Sequence, residues 1–220
     1  MSNRCLLYYI TDRSQFRNGK DQRHRALLDK VAEAARAGVD YIQLREKDLS
    51  ARKLETLTRQ VVAAMRENSP STRLLINSRT DVALAAGADG VHLRADDVAP
   101  HEVRQVLEVY AHQPVHFLVA SSCHTAADVF RAESDAADFA VFAPVFEKKD
   151  ARVFEKKDTR PTGLAALREV CRAKTPVLAL GGVNIENAAS CLNAGAAGIA
   201  AIRLFQENKI EDVARALRAL

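Results

Sequence analysis

The stretch Tyr41-Ile42-Gln43-Leu44-Arg45-Glu46-Lys47 begins as an apolar, alternating segment and ends in charged residues. This alternation is typical of a β-strand, in which residues two apart point to the same side. Gln43, Arg45 and Lys47 are therefore predicted to face one way, and the residues between them the other way. Three convergent donors suit a polyanion, because Arg in particular binds phosphate through paired hydrogen bonds. The alternative is a strand end whose charges are solvated.

Seven further short apolar runs lie on either side of this strand and alternate with segments of helical periodicity. Continuous apolar runs such as 177–180 are typical of parallel strands that are buried on both faces. The other predicted strands are 6–10, 74–77, 90–93, 115–120, 138–145, 176–180 and 198–202. The predicted helices are 24–37, 50–68, 79–86, 100–110, a segment beginning at Thr125, 163–172, 184–195 and 210–219.

Eight strands that alternate with eight helices predict a single-domain (β/α)₈ barrel over residues 1–220. Three helices end in similar Ala-Gly junctions, at Gly38, Gly87 and Gly195, where glycine permits a left-handed turn into the next strand. A doubly wound open sheet is the competing fold. That fold usually has a glycine-rich loop after the first strand, and Thr11-Asp12-Arg13-Ser14 is not such a loop.

Composition excludes several classes of protein. The net charge is only +4, without a block of basic residues interleaved with aromatic ones, so nucleic acid is not an expected partner. No apolar stretch has the roughly 18–20 residues of a membrane span, and the start of the chain lacks the pattern of a signal peptide. The four cysteines have no metal-binding or disulfide spacing, which predicts reduced thiols in the cytoplasm. A homo-oligomer is compatible with the sequence.

A tandem duplication interrupts the regular alternation after the sixth strand. Residues 145–152 read VFEKKDAR and residues 153–160 read VFEKKDTR, so the two octamers differ at one position. The repeat is too short and too polar to form a domain. It is predicted to lengthen the loop after strand six, at the mouth of the barrel, where added loop length costs little free energy.

The active site of a (β/α)₈ barrel lies at the carboxyl ends of its strands. Gly181-Gly182, together with the turn after Ile202, fits a phosphate cup formed by backbone N–H groups, although the glycines also fit a tight turn. Asp96 and Asp97 follow strand four and are candidate Mg²⁺ ligands. A pair of charges that stabilises the helix beginning at Pro100 is an equal alternative.

Seven motifs, each on or directly after one of the first seven predicted strands, resemble the family of thiamin-phosphate synthase and the thiazole tautomerase TenI. They are Tyr9-Ile10-Thr11-Asp12, Gln43-Leu44-Arg45-Glu46-Lys47, the segment from Leu75 to Ala83, Gly87-Ala88-Asp89-Gly90-Val91-His92-Leu93, Ser122-x-His124-Thr125, Pro144-Val145-Phe146 and Gly181-Gly182-Val183. The resemblance implies a barrel enzyme that joins hydroxymethylpyrimidine pyrophosphate to thiazole phosphate. It also implies Mg²⁺ and release of pyrophosphate.

The resemblance also implies roles for individual residues. It implies catalytic roles for Arg45, Lys47 and Ser122, and metal binding by Asp97 with Asp96 as a further ligand. The residues implied to contact the two phosphorylated substrates are Gln43, Arg45, Lys47, Asn77, Ser122, Lys149, Gly182, Ile202 and Arg203.

Four positions depart from the family pattern. Ser78 stands where the second metal-binding aspartate is expected, Arg94-Ala95 replaces Gly-Gln, Arg203 replaces a serine, and the duplicated loop replaces Thr-x-Thr-Lys. One carboxylate fewer predicts weaker Mg²⁺ binding. Three functions follow: an active synthase, a tautomerase-like enzyme acting on a related phosphorylated heterocycle, and a non-catalytic protein that binds thiamin precursors.

Overall fold

The computed structural model describes residues 4–16, 19–69, 71–110, 116–147 and 160–220. Eight parallel strands pair in chain order, and β8 pairs with β1, so the sheet closes into a barrel. The strands are β1 Leu6–Ile10, β2 Tyr41–Leu44, β3 Arg73–Asn77, β4 Gly90–Leu93, β5 Leu118–Cys123, β6 Phe139–Phe142, β7 Val177–Ala179 and β8 Gly198–Ala201. The predicted single-domain (β/α)₈ barrel is confirmed, and the open sheet is excluded.

Helices follow the strands and cover the outside of the barrel. They are α1 Lys20–Arg36, α2 Ala51–Asn68, α3 Thr80–Ala86, α4 Pro100–Tyr110, α5 Ala126–Ser134, α6 Gly163–Val170, α7 Ile185–Asn193, α8 Arg203–Gln206 and α9 Ile210–Arg218. Ser50, Thr125 and Asn184 cap their helices through side-chain oxygens, as the sequence predicts. Among the helices of the described residues, none is long and apolar enough to cross a membrane.

Two predicted strands have ends that differ by three residues from the structure, α1 begins at Lys20 and not at residue 24, and one helix was not predicted. Strand five begins at Leu118 and runs to Cys123, so the predicted strand 115–120 was placed three residues early. Strand six ends at Phe142, because Ala143-Pro144 begins the next loop. A single helical turn, α8, follows Ile202 and buries Phe205 completely. A four-residue helix is too short to show a 3.6-residue period.

Two apolar regions form the core. The larger region lies between the strands and the surrounding helices. The smaller region fills the barrel interior, where Tyr41 stacks on Phe139 at a centroid distance of 4.8 Å and Tyr8 meets Phe139 edge-on at 5.4 Å. These rings close the lower part of the lumen. Side chains nearer the carboxyl ends of the strands therefore form the floor of the mouth.

Candidate active site

The inward-facing side chains at the carboxyl ends of the strands are polar on one half of the barrel and apolar on the other half. Tyr41, Leu75 and Ala120 pack in the interior core, and the residues two positions further along their strands face the same way. These residues are Gln43, Asn77 and Ser122. His92 on β4 pairs with Asn77 and joins them. Val141, Leu180, Ile202 and Ile10 supply the apolar half. The predicted Gln43, Asn77 and Ser122 thus face the barrel interior at the carboxyl ends of β2, β3 and β5, and Ile202 packs against the interior core after β8.

His92 connects the polar half to the opposite side of the barrel. Its Nδ1 lies 3.0 Å from the hydroxyl of Tyr8, and its Nε2 lies 2.8 Å from Ser122 Oγ. Burial, and next the positive charge of Arg45, lowers the pKa of His92 to about 3. The imidazole is therefore neutral at physiological pH. Because the charge of Arg45 acts on the pKa of His92, Arg45 lies near the polar side chains at the mouth of the barrel.

Gln43 carries a buried donor among these inward-facing side chains. Its side chain is only 2% exposed, and within the described residues its Nε2 has no hydrogen-bond partner of standard geometry. Burial raises the pKa of the Tyr8 phenol, and the amide nevertheless lies close enough to the Tyr8 hydroxyl to lower that pKa by hydrogen bonding. Gln43 is therefore a buried donor at the floor of the candidate site, next to Tyr8.

The opening stretch behaves as a strand only as far as Leu44. Beyond it, the backbone N–H of Arg45 donates to Thr11 Oγ1 at 3.0 Å, which holds Arg45 at the rim. Glu46 is buried on the opposite side, as predicted, and accepts hydrogen bonds from Thr11 and Arg13. The strand is predicted over Tyr41–Arg45 and ends one residue earlier in the structure. The prediction that Lys47 shares a strand face with Gln43 is wrong, because Lys47 lies in an exposed turn after the strand.

The Gly181-Gly182 pair has a packing role. Both residues have positive φ angles, of 96° and 65°. A Cβ atom on Gly181 would lie 2.7 Å from Pro144 Cα, and one on Gly182 would lie 2.6 Å from the carbonyl oxygen of Glu147. The loop after β6 therefore lies directly on the two glycines. The predicted tight turn is present, and the contact of Gly182 with a phosphate stays a prediction.

The remaining predicted contacts differ in how far the structure describes them. Arg203 is partly buried at the first position of α8, one residue after Ile202. Lys149 and most of the duplicated loop lie outside the described residues, which include 145–147 and 160. The phosphate contacts of Arg203 and Lys149 thus stay predictions.

The two candidate metal ligands are both engaged by Arg94. Its guanidinium forms an ion pair with Asp96, in which Nε donates to Oδ1 at 2.8 Å. Its backbone N–H donates to Asp97 Oδ2 at 2.7 Å, so Asp97 closes the turn after β4 and does not cap α4. Within the described part of the chain, no three His, Cys, Asp or Glu side chains form a metal-binding group. Both carboxylates are therefore engaged by Arg94, and Mg²⁺ binding by Asp96 and Asp97 stays a prediction.

Cys123 and His124 do not form a nucleophile and base. Cys123 is buried in the outer core, and burial raises the pKa of its thiol to about 12. His124 Nδ1 instead lies 2.8 Å from the carbonyl oxygen of Ala143. The two side chains therefore have different partners.

Sequence reasoning assigned no role to His92 or Tyr8. The alternation of β4 already placed His92 on the same side as Gly90, opposite the apolar Val91 and Leu93. That signal indicates an inward-facing histidine. Its contact with Tyr8 depends on the closure of the barrel, since β1 and β4 are not neighbours in the sheet.

Comparison with known proteins agrees with this architecture. The family model described as thiamine monophosphate synthase matches residues 7–205. Thiamine-phosphate synthase of Methanoculleus marisnigri is 36% identical, over 96% of this chain and 93% of that protein. Thiamine-phosphate synthase of Clostridium novyi is also 36% identical, over 97% and 96% respectively. The structure of thiamine phosphate pyrophosphorylase from Pyrococcus furiosus superposes with a TM-score of 0.78 at 27% identity, covering 99% and 95% of the two chains.

Proposed function

Because the chain belongs to the thiamine monophosphate synthase family, we propose that it is a transferase that makes thiamin phosphate. In the proposed reaction, the bond between the pyrimidine methylene carbon and the pyrophosphate oxygen breaks. The ring nitrogen of thiazole phosphate then forms a bond to that carbon, and pyrophosphate leaves. The observation that supports the proposal is the convergence of Gln43, Asn77 and Ser122 at the carboxyl ends of neighbouring strands, with Arg45 close enough to lower the pKa of His92.

The polar and the apolar half of the barrel mouth suit the pyrophosphate group and the ring of the first substrate. Donors on β2 to β5 face one side of the mouth, where the pyrimidine and its pyrophosphate would find hydrogen-bond partners. Charge develops on the pyrophosphate as it leaves, and positioned donors lower the barrier most where charge develops. We assign this task to Arg45, Lys47 and Ser122. We assign to the apolar half of the mouth, which includes Leu180 and Ile202, the packing against the pyrimidine and thiazole rings of the substrates.

Magnesium is implied by the family resemblance, but this chain has only one of the two aspartates that the resemblance implies as metal ligands. Asp97 is retained and Ser78 replaces the second carboxylate. Asp96 and Asp97 are both held by Arg94. We therefore assign the stabilisation of the leaving group to the basic side chains and the serine, and we propose that protein carboxylates bind Mg²⁺ weakly.

One assay distinguishes the three functions considered for this chain. Purified protein is mixed with both phosphorylated precursors and Mg²⁺, and thiamin phosphate and pyrophosphate are measured over time. The synthase should yield the two products in equal amounts, and only when both precursors are present. Absence of product at high protein concentration would overturn the proposal. Calorimetric binding without turnover would then favour a binding protein, whereas conversion of the thiazole phosphate alone would favour a tautomerase-like enzyme.

The expected setting is the cytoplasm. The four cysteines are free in the structure, which fits a reducing compartment. The substrates are small phosphorylated molecules, and the basic residues near the mouth suit them. Fractionation of cells that express the tagged chain would test the location.

A further inference from the structure

Three polar side chains form a continuous chain of hydrogen bonds across the inside of the barrel. Tyr8 on β1 contacts His92 on β4, and His92 contacts Ser122 on β5, at 3.0 and 2.8 Å. Tyr8 is completely buried and His92 is 2% exposed. Only Ser122 stands at the mouth. The inner two residues therefore reach a ligand only through the serine.

The burial of Tyr8 fixes the direction of these hydrogen bonds. A buried phenol whose hydrogen finds no acceptor costs about 1–3 kcal/mol. Burial raises the pKa of Tyr8 and hydrogen bonding from Gln43 lowers it, so the Gln43 amide faces the phenol as a donor, and the hydroxyl donates to His92 Nδ1. A neutral imidazole carries one hydrogen, and burial keeps this imidazole neutral. That hydrogen is then on Nε2, which donates to Ser122 Oγ.

The geometry points to Tyr8 and His92 as positioning residues for Ser122. The histidine holds the serine oxygen as an acceptor, which leaves the serine hydrogen for an oxygen of the substrate's pyrophosphate. In the opposite tautomer, Ser122 would donate to His92 and offer the anion only lone pairs. Tyr8 selects the productive tautomer from a distance. This inference deepens the synthase function proposed above and rests on it.

The positive charge nearby fits this direction. Arg45 is close enough to His92 to act on its pKa, so an anion drawn to Arg45 lies near the serine. The Nε2 of Gln43 is a further buried donor at the floor of the site. The serine hydrogen would thus join donors that already converge, and a lone pair there would repel the anion.

The first test is the tautomer of His92. Nitrogen-15 NMR of the full-length protein distinguishes a protonated from an unprotonated ring nitrogen. We expect His92 with hydrogen on Nε2 and none on Nδ1, unchanged between pH 6 and 8. A hydrogen on Nδ1 would overturn the proposal. This measurement uses the wild-type chain, so it does not depend on the folding of a variant.

The second test is a double-mutant cycle on pyrophosphate binding. Tyr8→Phe removes only the hydroxyl, and we expect the Kd for inorganic pyrophosphate, measured by calorimetry, to rise about fivefold to tenfold. In a Ser122→Ala background, Tyr8→Phe should change Kd less than about twofold, because its effect passes through the serine. Tyr41→Phe, which removes another phenol from the lumen, should leave Kd unchanged. Melting temperatures check that each variant is folded.

The outcomes separate the relay from the proposed reaction. Equal losses from Tyr8→Phe with and without Ser122 would overturn the relay, since a purely structural role is independent of the serine. An unchanged Kd in Tyr8→Phe would also overturn it. If the wild-type chain released no pyrophosphate from the two precursors, the synthase function would fail, while the binding cycle would still decide the relay.

Discussion

The hydroxyl of Thr11 donates a 2.7 Å hydrogen bond to Glu46 Oε1, and Thr11 Oγ1 in turn accepts a hydrogen bond from the backbone N–H of Arg45. Thr11 and Glu46 are both buried. Burial raises the pKa of Glu46, while the bonds from Thr11 and Arg13 lower it. Thr11 therefore connects the end of β1 to the stretch after β2. Arg45, at the rim of the barrel, is thus held through Thr11, whose hydroxyl also bonds Glu46 on the side away from the site.

Replacing Thr11 with valine keeps the shape of the side chain and removes both hydrogen bonds. We expect Thr11→Val to lower the free energy of unfolding by about 1–3 kcal/mol and to weaken pyrophosphate binding, because Arg45 loses its backbone anchor. Urea unfolding and calorimetry measure the two effects. Thr58→Val is the control, since Thr58 is equally buried but bonds to Leu54 within α2. Weakened pyrophosphate binding in the control would contradict this explanation.

His92 predicts a specific dependence of stability on pH. Its pKa is about 3 in the folded protein and about 6.5 in an unfolded chain. Below pH 6.5 the unfolded state binds a proton that the folded state does not, so stability falls as the pH falls. The limiting slope is about 1.4 kcal/mol per pH unit. In urea unfolding between pH 5 and 7, His92→Gln should lack this contribution. An identical slope in both proteins would show that His92 titrates normally.

Ser78 offers a way to restore a carboxylate. It has a φ of 59°, a conformation that aspartate tolerates better than most residues, so Ser78→Asp should fold. We expect the affinity for Mg²⁺ alone to rise on the order of tenfold, because ligand charge tunes the affinity of such sites. Calorimetry with MgCl₂ measures it, and Ser78→Asn is the uncharged control. An equal gain from asparagine would show that charge is not the cause.

Gly182 should not accept a side chain. An alanine there would combine a φ of 65° with a contact of 2.6 Å to the carbonyl oxygen of Glu147. We expect Gly182→Ala to cost about 1–3 kcal/mol in urea unfolding and to slow turnover, because the loop after β6 must move. Gly19→Ala is the control, since no atom lies within 4 Å of the added Cβ. A Gly182→Ala protein as stable as the control would contradict the packing described here.

Deleting residues 145–152 should leave the barrel intact. The loop is closed at its base by bonds from Phe146 N to Gly181 O and from Thr162 N to Pro144 O, of 2.9 and 2.8 Å. After the deletion, the second octamer again places Val-Phe behind Pro144. Halving the loop should raise the free energy of unfolding by about 0.6 kcal/mol, measured with urea. A marked loss of melting temperature would show that the extra octamer packs.

The strands were predictable because parallel barrel strands are continuous apolar runs, and the closed barrel followed from their number. Strand five was misplaced because polar Ser121 and Ser122 continue it toward the mouth. Ser122 belongs to the candidate site, so local rules failed where the site requires a polar residue. The short α8 left no periodic signal.

The site was predictable as a set of strand ends and not as a network. Alternation and resemblance together identified Gln43, Asn77 and Ser122. The contact between Tyr8 and His92 crosses the lumen and depends on register, which no local pattern contains. The engagement of Asp96 by Arg94 depends on the conformation of one turn. Such short-range charge pairs decide whether carboxylates remain available to a cation.

The pairing of β1 with β8 also has a consequence for folding during synthesis. Tyr8 is synthesised well before its neighbour across that seam, Ala200. A nascent chain can bring β4 and β5 together before β8 exists, whereas the first strand acquires its second partner only after β8 has been made. The barrel therefore closes only after residue 198 has been synthesised, and a chain truncated before that residue would lack the seam between β1 and β8.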